Sequence, residues 1–312
     1  MEEELYKTLP KHTCTWLQGI VTLYKYQGFW NSQTFHEKSM LAQSYKAQPS
    51  DILLCTYPKT GATWLKALTF AIVTRKKLDE VASANPLLTT LPHDCVPFLE
   101  NHLEKIKANP SNYPILGTHL PYSFLPKSVI ASNCKIVYMY RNIKDVIVSY
   151  YHFTRELVSL SVEDAPFEEV FDEFSEGVSS YGPYWDHILE YWKASQERPD
   201  IFHFVKYEDL KRDPRSNVKR LAEFLEYSFS IEEEKAGVVD DIIELCSFDS
   251  LRNLEVNKTG KQQVDEHFAM EHRLFFRKAE DGDWKKHFTD EMEHTIDKLV
   301  DEKMSGTPLV LK

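Results

Sequence analysis

One stretch limits what this chain can fold into more than any other. Ile52-Leu53-Leu54-Cys55 is apolar throughout, Tyr57-Pro58-Lys59-Thr60-Gly61-Ala62-Thr63-Trp64 follows it, and Trp64, Leu65, Leu68 and Ile72 then recur at helical spacing. That succession predicts a buried strand, a short loop and a helix. Such a loop offers backbone N–H groups and the positive end of a helix to an anion. Thr60 and Thr63 add hydroxyl donors and Lys59 adds a full charge. A Walker A loop carries its Lys directly after its second Gly, whereas Lys59 comes two residues before Gly61. The loop is expected to hold a phosphate-like group without being that of an ATP-dependent kinase.

Three more short apolar runs extend the pattern: Ile115-Leu116, Ile136-Val137-Tyr138-Met139-Tyr140 and Ile201-Phe202-His203-Phe204-Val205. Runs apolar on both faces suit parallel strands covered by helices. Helical patterns lie between them at 143–157, 184–195 and 218–225. The expected fold is α/β: one domain over 1–312, a mainly parallel central sheet flanked by helices, a P-loop-like anion loop and a helical segment over 1–50. Each run leads into a residue able to bind charge or do chemistry, namely Lys59, His119, Arg141 and Tyr207. Ligands of open α/β sheets bind outside the carboxyl ends of the strands. A polar residue at one strand end is unremarkable, but four of these types point to a common crevice.

The chain has 312 residues, 42% of them hydrophobic, enough for a sizeable core. Its net charge of −11 argues against non-specific binding to nucleic acid or an anionic membrane. A small anion needs only a local cluster of cations. The five cysteines, Cys14, Cys55, Cys95, Cys134 and Cys246, are odd in number and form no C-x-x-C pair, so free thiols in a reducing compartment are expected. No zinc framework is visible. Glu266-His267 and Glu271-His272 lie in a polar stretch without a second cluster and are expected on a solvated surface. The acidic start, Met1-Glu2-Glu3-Glu4-Leu5, has no apolar core behind it, and no run reaches 18 apolar residues. Neither a signal peptide nor a membrane span is expected, and the location expected is the cytosol.

Four motifs in order carry a family resemblance. Y-P-K-T-G-A-T-W at 57–64 resembles the 5′-phosphosulfate loop of the cytosolic sulfotransferases. Thr118-His119-Leu120-Pro121 resembles the segment with their catalytic histidine, and Arg141-Asn142-Ile143-Lys144-Asp145 through Phe153 their 3′-phosphate motif. Phe276-Arg277-Lys278-Ala279-Glu280-Asp281-Gly282-Asp283-Trp284 resembles their C-terminal R-K-G-x-x-G-D-W signature. The chain most resembles the plant flavonol sulfotransferases, in particular those acting on the 3-hydroxyl, above all at 91–95 and 179–185, which donor binding does not explain.

The resemblance implies transfer of a sulfuryl group from 3′-phosphoadenosine 5′-phosphosulfate to a phenolic hydroxyl, without a metal. It implies His119 as general base and Lys59 as the charge stabiliser. It places Lys59, Thr60, Gly61, Ala62, Thr63, Trp64, Arg141, Ser149, Tyr207, Phe248, Arg277, Lys278 and Ala279 around the donor. Ser149 lies eight residues after Arg141, about two helical turns, so spacing alone would not bring the two to one phosphate. Trp30, Tyr151 and Phe153 are aromatic candidates for the acceptor pocket, and each is equally a core candidate.

Some positions depart from the family pattern. Ala62 replaces a usual Thr, Ala279 a usual Gly, and Gly117 stands where animal relatives often carry Lys. In the segment through which animal relatives dimerise, Lys285 and Thr289 match, but Asp290 and His294 replace a Val and a Glu; a monomer is expected. The polar stretch at 252–275 is expected to be a mobile lid over the donor. Alternatives are an enzyme for another plant phenol or hydroxylated small molecule, or a weakly active nucleotide-binding relative. A nucleotide kinase would need a metal-binding Asp at a strand end, which is not evident.

Overall fold

The computed structural model describes residues 2–80, 84–109, 114–263 and 269–312. Four strands form the central sheet: Ile52–Thr56 (here β4), Ile115–Thr118 (β5), Lys135–Tyr140 (β6) and Phe202–Lys206 (β7). Their order is β5-β4-β6-β7, and all neighbours run parallel. Alternate residues of these strands enter two different cores. Leu53, Cys55, Leu116, Ile136, Tyr138 and Phe202 face one side. Ile52, Leu54, Ile115, Val137, Met139 and Val205 face the other. This is why the runs are apolar without alternation: both faces of a parallel sheet are covered.

On the first side pack the helices Ile143–Leu157, Phe167–Ser175 and Tyr184–Glu197, through residues such as Val146, Phe171 and Ile188. On the second side pack Ala62–Glu80, Pro214–Phe224 and Val238–Leu245, through Leu65, Leu68, Ile72, Val218, Leu221 and Ile242. The three helical patterns expected from sequence all fall on observed helices.

The first fifty residues correct the expectation of a helical segment. Lys11–Thr13 (β1), Thr22–Tyr26 (β2) and Phe29–Asn31 (β3) form an antiparallel sheet between the helices Glu2–Thr8 and Gln33–Ala42. Gln27-Gly28, with φ of 48° and 93°, makes the β2–β3 turn, which suits the positive φ of tight hairpins. β3 then pairs its Trp30 N–H and C=O with Gly182 and Tyr181. The small sheet is thereby tied to a segment that reaches the site described below.

The 252–275 stretch also departs from a plain loop. Its described part contains the helix Glu255–Thr259 and the paired strands Lys261–Gln263 (β8) and Ala269–Glu271 (β9). Glu266 and His267 lie outside the described residues. His272 is buried rather than solvated, its Nδ1–H donating to the Val256 carbonyl at 2.8 Å. All five cysteines are free, and only Cys95 is not buried. Among the described residues, no helix is long and apolar enough to cross a membrane.

Candidate active site

A cavity of about 1000 Å³ opens at the carboxyl ends of the central strands, and Lys59, His119, Arg141 and Tyr207 all line it. The chain leaves β4, β5, β6 and β7 at one edge of the sheet, so residues far apart in sequence meet there. Thr63, Trp64, Ser149, Phe248, Arg277, Lys278 and Ala279 line the same cavity. A neighbouring cavity of about 480 Å³ shares Lys59, Ser149, Arg252 and Arg277 and adds Lys258 and Arg273. An acidic protein thus gathers cations at one place.

The anion loop is shaped by two residues at positive φ, Lys59 at 72° and Gly61 at 112°. A Cβ on Gly61 would lie 2.8 Å from both Met139 Sδ and the Tyr207 ring, so only Gly fits. Thr60 is fully buried and its hydroxyl is turned inward, 2.8 Å from the Tyr57 carbonyl and 3.1 Å from that of Met139. It braces the loop, and the reading of Thr60 as a hydroxyl donor to the ligand does not fit this geometry. Ala62 has no hydroxyl. Thr63 keeps one, 2.9 Å from His93 Nε2. Lys59 Nζ lies 3.7 Å from the centroid of the Phe153 ring. Burial, and then the charges of Arg277 and Arg141, bring the Lys59 pKa down to about 7.

His119 is held from four sides. Its backbone N–H donates to Glu100 Oε1 at 2.9 Å, and its carbonyl accepts His187 Nε2–H at 3.0 Å. Its ring packs between Phe98 and Tyr181, with centroids at 4.5 and 5.6 Å. Nδ1 lies 2.7 Å from the Thr56 carbonyl. A carbonyl only accepts, so Nδ1 carries the proton and Nε2 keeps its lone pair. Burial is the main cause that lowers the His119 pKa to about 3, leaving a neutral ring at physiological pH.

Arg141 is pinned at the backbone by Tyr184, whose hydroxyl accepts its N–H at 3.1 Å and donates to its carbonyl at 2.8 Å. Its guanidinium lies over Tyr207, 4.4 Å from the ring centroid, and donates to the Glu280 carbonyl at 2.7 Å. Among the described residues, its buried Nε has no hydrogen-bond partner, an orphan that an anionic ligand would satisfy. Asp145, one turn on, accepts the N–H groups of Gly282 and Trp284 at 2.9 and 3.3 Å. The third and fourth motifs therefore close on each other. Asp283 holds Arg277 at 2.6 Å and Lys278 at 3.2 Å. Burial alone would raise Asp283, but hydrogen bonds from Arg277, Lys286 and Lys278 carry it well below the usual carboxylate range. Ala279 sits at φ 53°, where Ala is about 1 kcal/mol less favourable than Gly.

Two acceptor candidates fall elsewhere. Tyr151 is buried on the opposite face of its helix and donates to the Ala165 carbonyl at 2.9 Å. Trp30 belongs to β3 and lies beneath Lys25, 5.7 Å from its ring centroid. Phe153 lines the cavity, as do Tyr150, Phe98, Tyr181, His93 and Phe275, which sequence reasoning did not single out. The sequence signals were positional: His93 and Tyr181 stand within the stretches 91–95 and 179–185, Tyr150 within the 141–153 motif and Phe275 at the end of the 252–275 stretch.

The match to known proteins agrees with this geometry. The model of the sulfotransferase domain family matches residues 49–308. The chain belongs to the sulfotransferase family. It is 61% identical to flavonol 4′-sulfotransferase of Flaveria chlorifolia, over 99% of this chain and 96% of that one. It is 59% identical to flavonol 3-sulfotransferase of Flaveria bidentis, over 99% of this chain and 100% of that one. A crystal structure of a mouse sulfotransferase complexed with PAP superposes with a TM-score of 0.68 at 25% identity, covering 92% of this chain and 96% of that one.

Proposed function

We propose that this sulfotransferase uses 3′-phosphoadenosine 5′-phosphosulfate to sulfate a flavonol hydroxyl. The observation that carries the reading is His119: its Nδ1–H is committed to Thr56, which leaves Nε2 as a base on the cavity that holds Lys59, Arg141 and Arg277. The orphaned Arg141 Nε and the Gly61 cradle fit a nucleotide donor, and PAP, the desulfated form of that donor, is what the mouse relative binds. When bound, the donor supplies an activated sulfuryl group. His119 Nε2 takes the proton of the acceptor hydroxyl. Lys59 offsets negative charge on the departing nucleotide. Arg141, Ser149, Arg277 and Lys278 orient the 3′-phosphate, and Trp64 and Phe248 offer ring faces to the adenine. Arg252, Met270 and Phe275 also line the cavity, which supports a covering role for the 252–275 segment.

Donor binding is expected to depend on pH through Lys59. Its pKa in the free protein is about 7, and a bound anion raises it. Binding therefore takes up a proton above pH 7, and affinity falls as pH rises toward 9. Phosphate groups are already fully ionised there, their second pKa being about 6. Titration calorimetry with PAP at pH 7 and 9 should show the fall, and Lys59→Met should flatten it. Equal wild-type affinities at both pH values would contradict the coupling.

The acceptor position is the finer part of the proposal. The two relatives are named for the 4′ and the 3 position at similar identity, so identity does not choose. The 3-hydroxyl reading rests on the resemblance in 91–95 and 179–185, which contribute His93, Ser180 and Tyr181 to the cavity. A site built to engage one hydroxyl discriminates strongly against an analogue lacking it. Quercetin should be converted mainly to its 3-sulfate, and the matched flavone without a 3-hydroxyl should react poorly. NMR of the product decides: sulfate mainly at 4′ overturns the position, and no reaction with either compound overturns the flavonol reading.

A further inference from the structure

Below the anion loop lies a buried polar chain that the mechanism above does not use. Thr63 and Lys66 are three residues apart on the helix that opens at Ala62, so their side chains share one face. His93 bridges them: Nε2 is 2.9 Å from Thr63 Oγ1 and Nδ1 is 3.1 Å from Lys66 Nζ. Lys66 and His93 are almost fully buried. The imidazole packs beside Phe275 and Phe98, with centroids at 4.3 and 5.2 Å. Lys66 Nζ also lies over the Phe98 ring at 3.1 Å. Room for this lysine exists because residue 117 is Gly. A Cβ there would lie 2.5 Å from Lys66 Cε and 2.8 Å from Nζ. The position that departs from the animal pattern is thus filled by a lysine from another element.

The order of donors along this chain has a consequence. Lys66 Nζ sits over the Phe98 ring face, where a cation is favoured; in its ammonium form it has no lone pair and donates to His93 Nδ1. Nε2 then carries the imidazole proton and donates to Thr63 Oγ1. With its acceptor side occupied, the Thr63 hydroxyl is left to donate its own proton. Thr60 donates inward and Ala62 has no hydroxyl. Thr63 is therefore the one hydroxyl among loop positions 60, 62 and 63 available to an anion. Burial is the main influence on Lys66 and holds its pKa well below the ordinary lysine value, while the facing carboxylates of Glu100 and Asp94 favour its charge. Lys59, His119 and His272 are the other titratable groups facing His93.

We propose that Lys66 and His93 are positioning residues that turn the Thr63 hydroxyl into a dedicated donor to the 5′-phosphate or phosphosulfate of the bound nucleotide. This rests on the donor reading above but not on the identity of the acceptor. Lys66→Met keeps the side-chain volume and removes the donor. It is expected to weaken PAP binding roughly tenfold, the size of a charge-assisted hydrogen bond, with the acceptor KM unchanged. Thr63→Val should lose a similar factor, and the double variant no more than either single one, since both break one chain. Binding of PAP to Lys66→Met as tightly as to the wild type, or additive losses in the double variant, would overturn the proposal. Nitrogen-15 NMR of histidine-labelled wild type, with His93 assigned by His93→Gln, needs no folded Lys66 variant. A protonated Nε2 and bare Nδ1 are expected, and the opposite tautomer overturns the proposal. Wild-type protein that fails to bind PAP at all would overturn the donor reading itself, a result distinct from these.

Discussion

His119→Ala is expected to lose about 10²–10⁴-fold in turnover while binding PAP as the wild type does. Both halves follow from how the residue is held. Glu100 and His187 grip the backbone N–H and C=O of His119, not its ring. The alanine variant keeps those bonds and the strand end stays in place. What disappears is the imidazole between Phe98 and Tyr181, and with it the lone pair of Nε2. The donor cations Arg141 and Arg277 are fixed by other groups, Tyr184 and Asp283, so nucleotide affinity should survive. Single-turnover kinetics with a flavonol acceptor, beside calorimetry with PAP, test the two halves together. Near wild-type turnover would remove His119 from its role. Loss of PAP binding would show that the ring is structural.

Arg141→Ala is expected to weaken PAP binding about 10–100-fold, the range for losing charge-assisted hydrogen bonds to a phosphate. The guanidinium is buried, stacked on Tyr207 and short of one partner at Nε. Its removal also releases the Glu280 carbonyl, but Asp145 still holds Gly282 and Trp284 through their N–H groups. The C-terminal motif should therefore stay docked. The specific signature is the loss of preference for PAP over the same nucleotide without its 3′-phosphate. If that preference persists in the variant, Arg141 acts only as a brace for residues 280–283. Arg141→Lys should recover little, because an ammonium cannot present the planar fork.

Sequence alone supports both expectations in the same way. His119 and Arg141 were visible as polar residues ending apolar runs. The local pattern also showed the strand–loop–helix unit at 52–72 and the helix at 143–157. It failed in the N-terminal sheet, where β1 and β3 are only three residues long and carry little periodicity. It failed again with Tyr151 and Tyr150, adjacent aromatics on one helix. Only packing shows which of the two meets the core and which the cavity.

What the sequence by itself determined is what depends on neighbours in the chain. Runs apolar on both faces required a covered parallel sheet, and a Gly-containing loop before a helix required an anion site. The residue types at four strand ends set the chemistry available. Only the tertiary structure decided which groups touch and which way their protons point. Thr60 looked like a ligand donor and is spent on the carbonyls of Tyr57 and Met139, the second 79 residues away. His119 became a base at Nε2 because Thr56, 63 residues earlier, accepts from Nδ1. Lys66 reached the space left by Gly117 because β4 and β5 pair side by side. Hydrogen-bond direction is a property of contacts across the fold, and no local spacing in the chain encodes it.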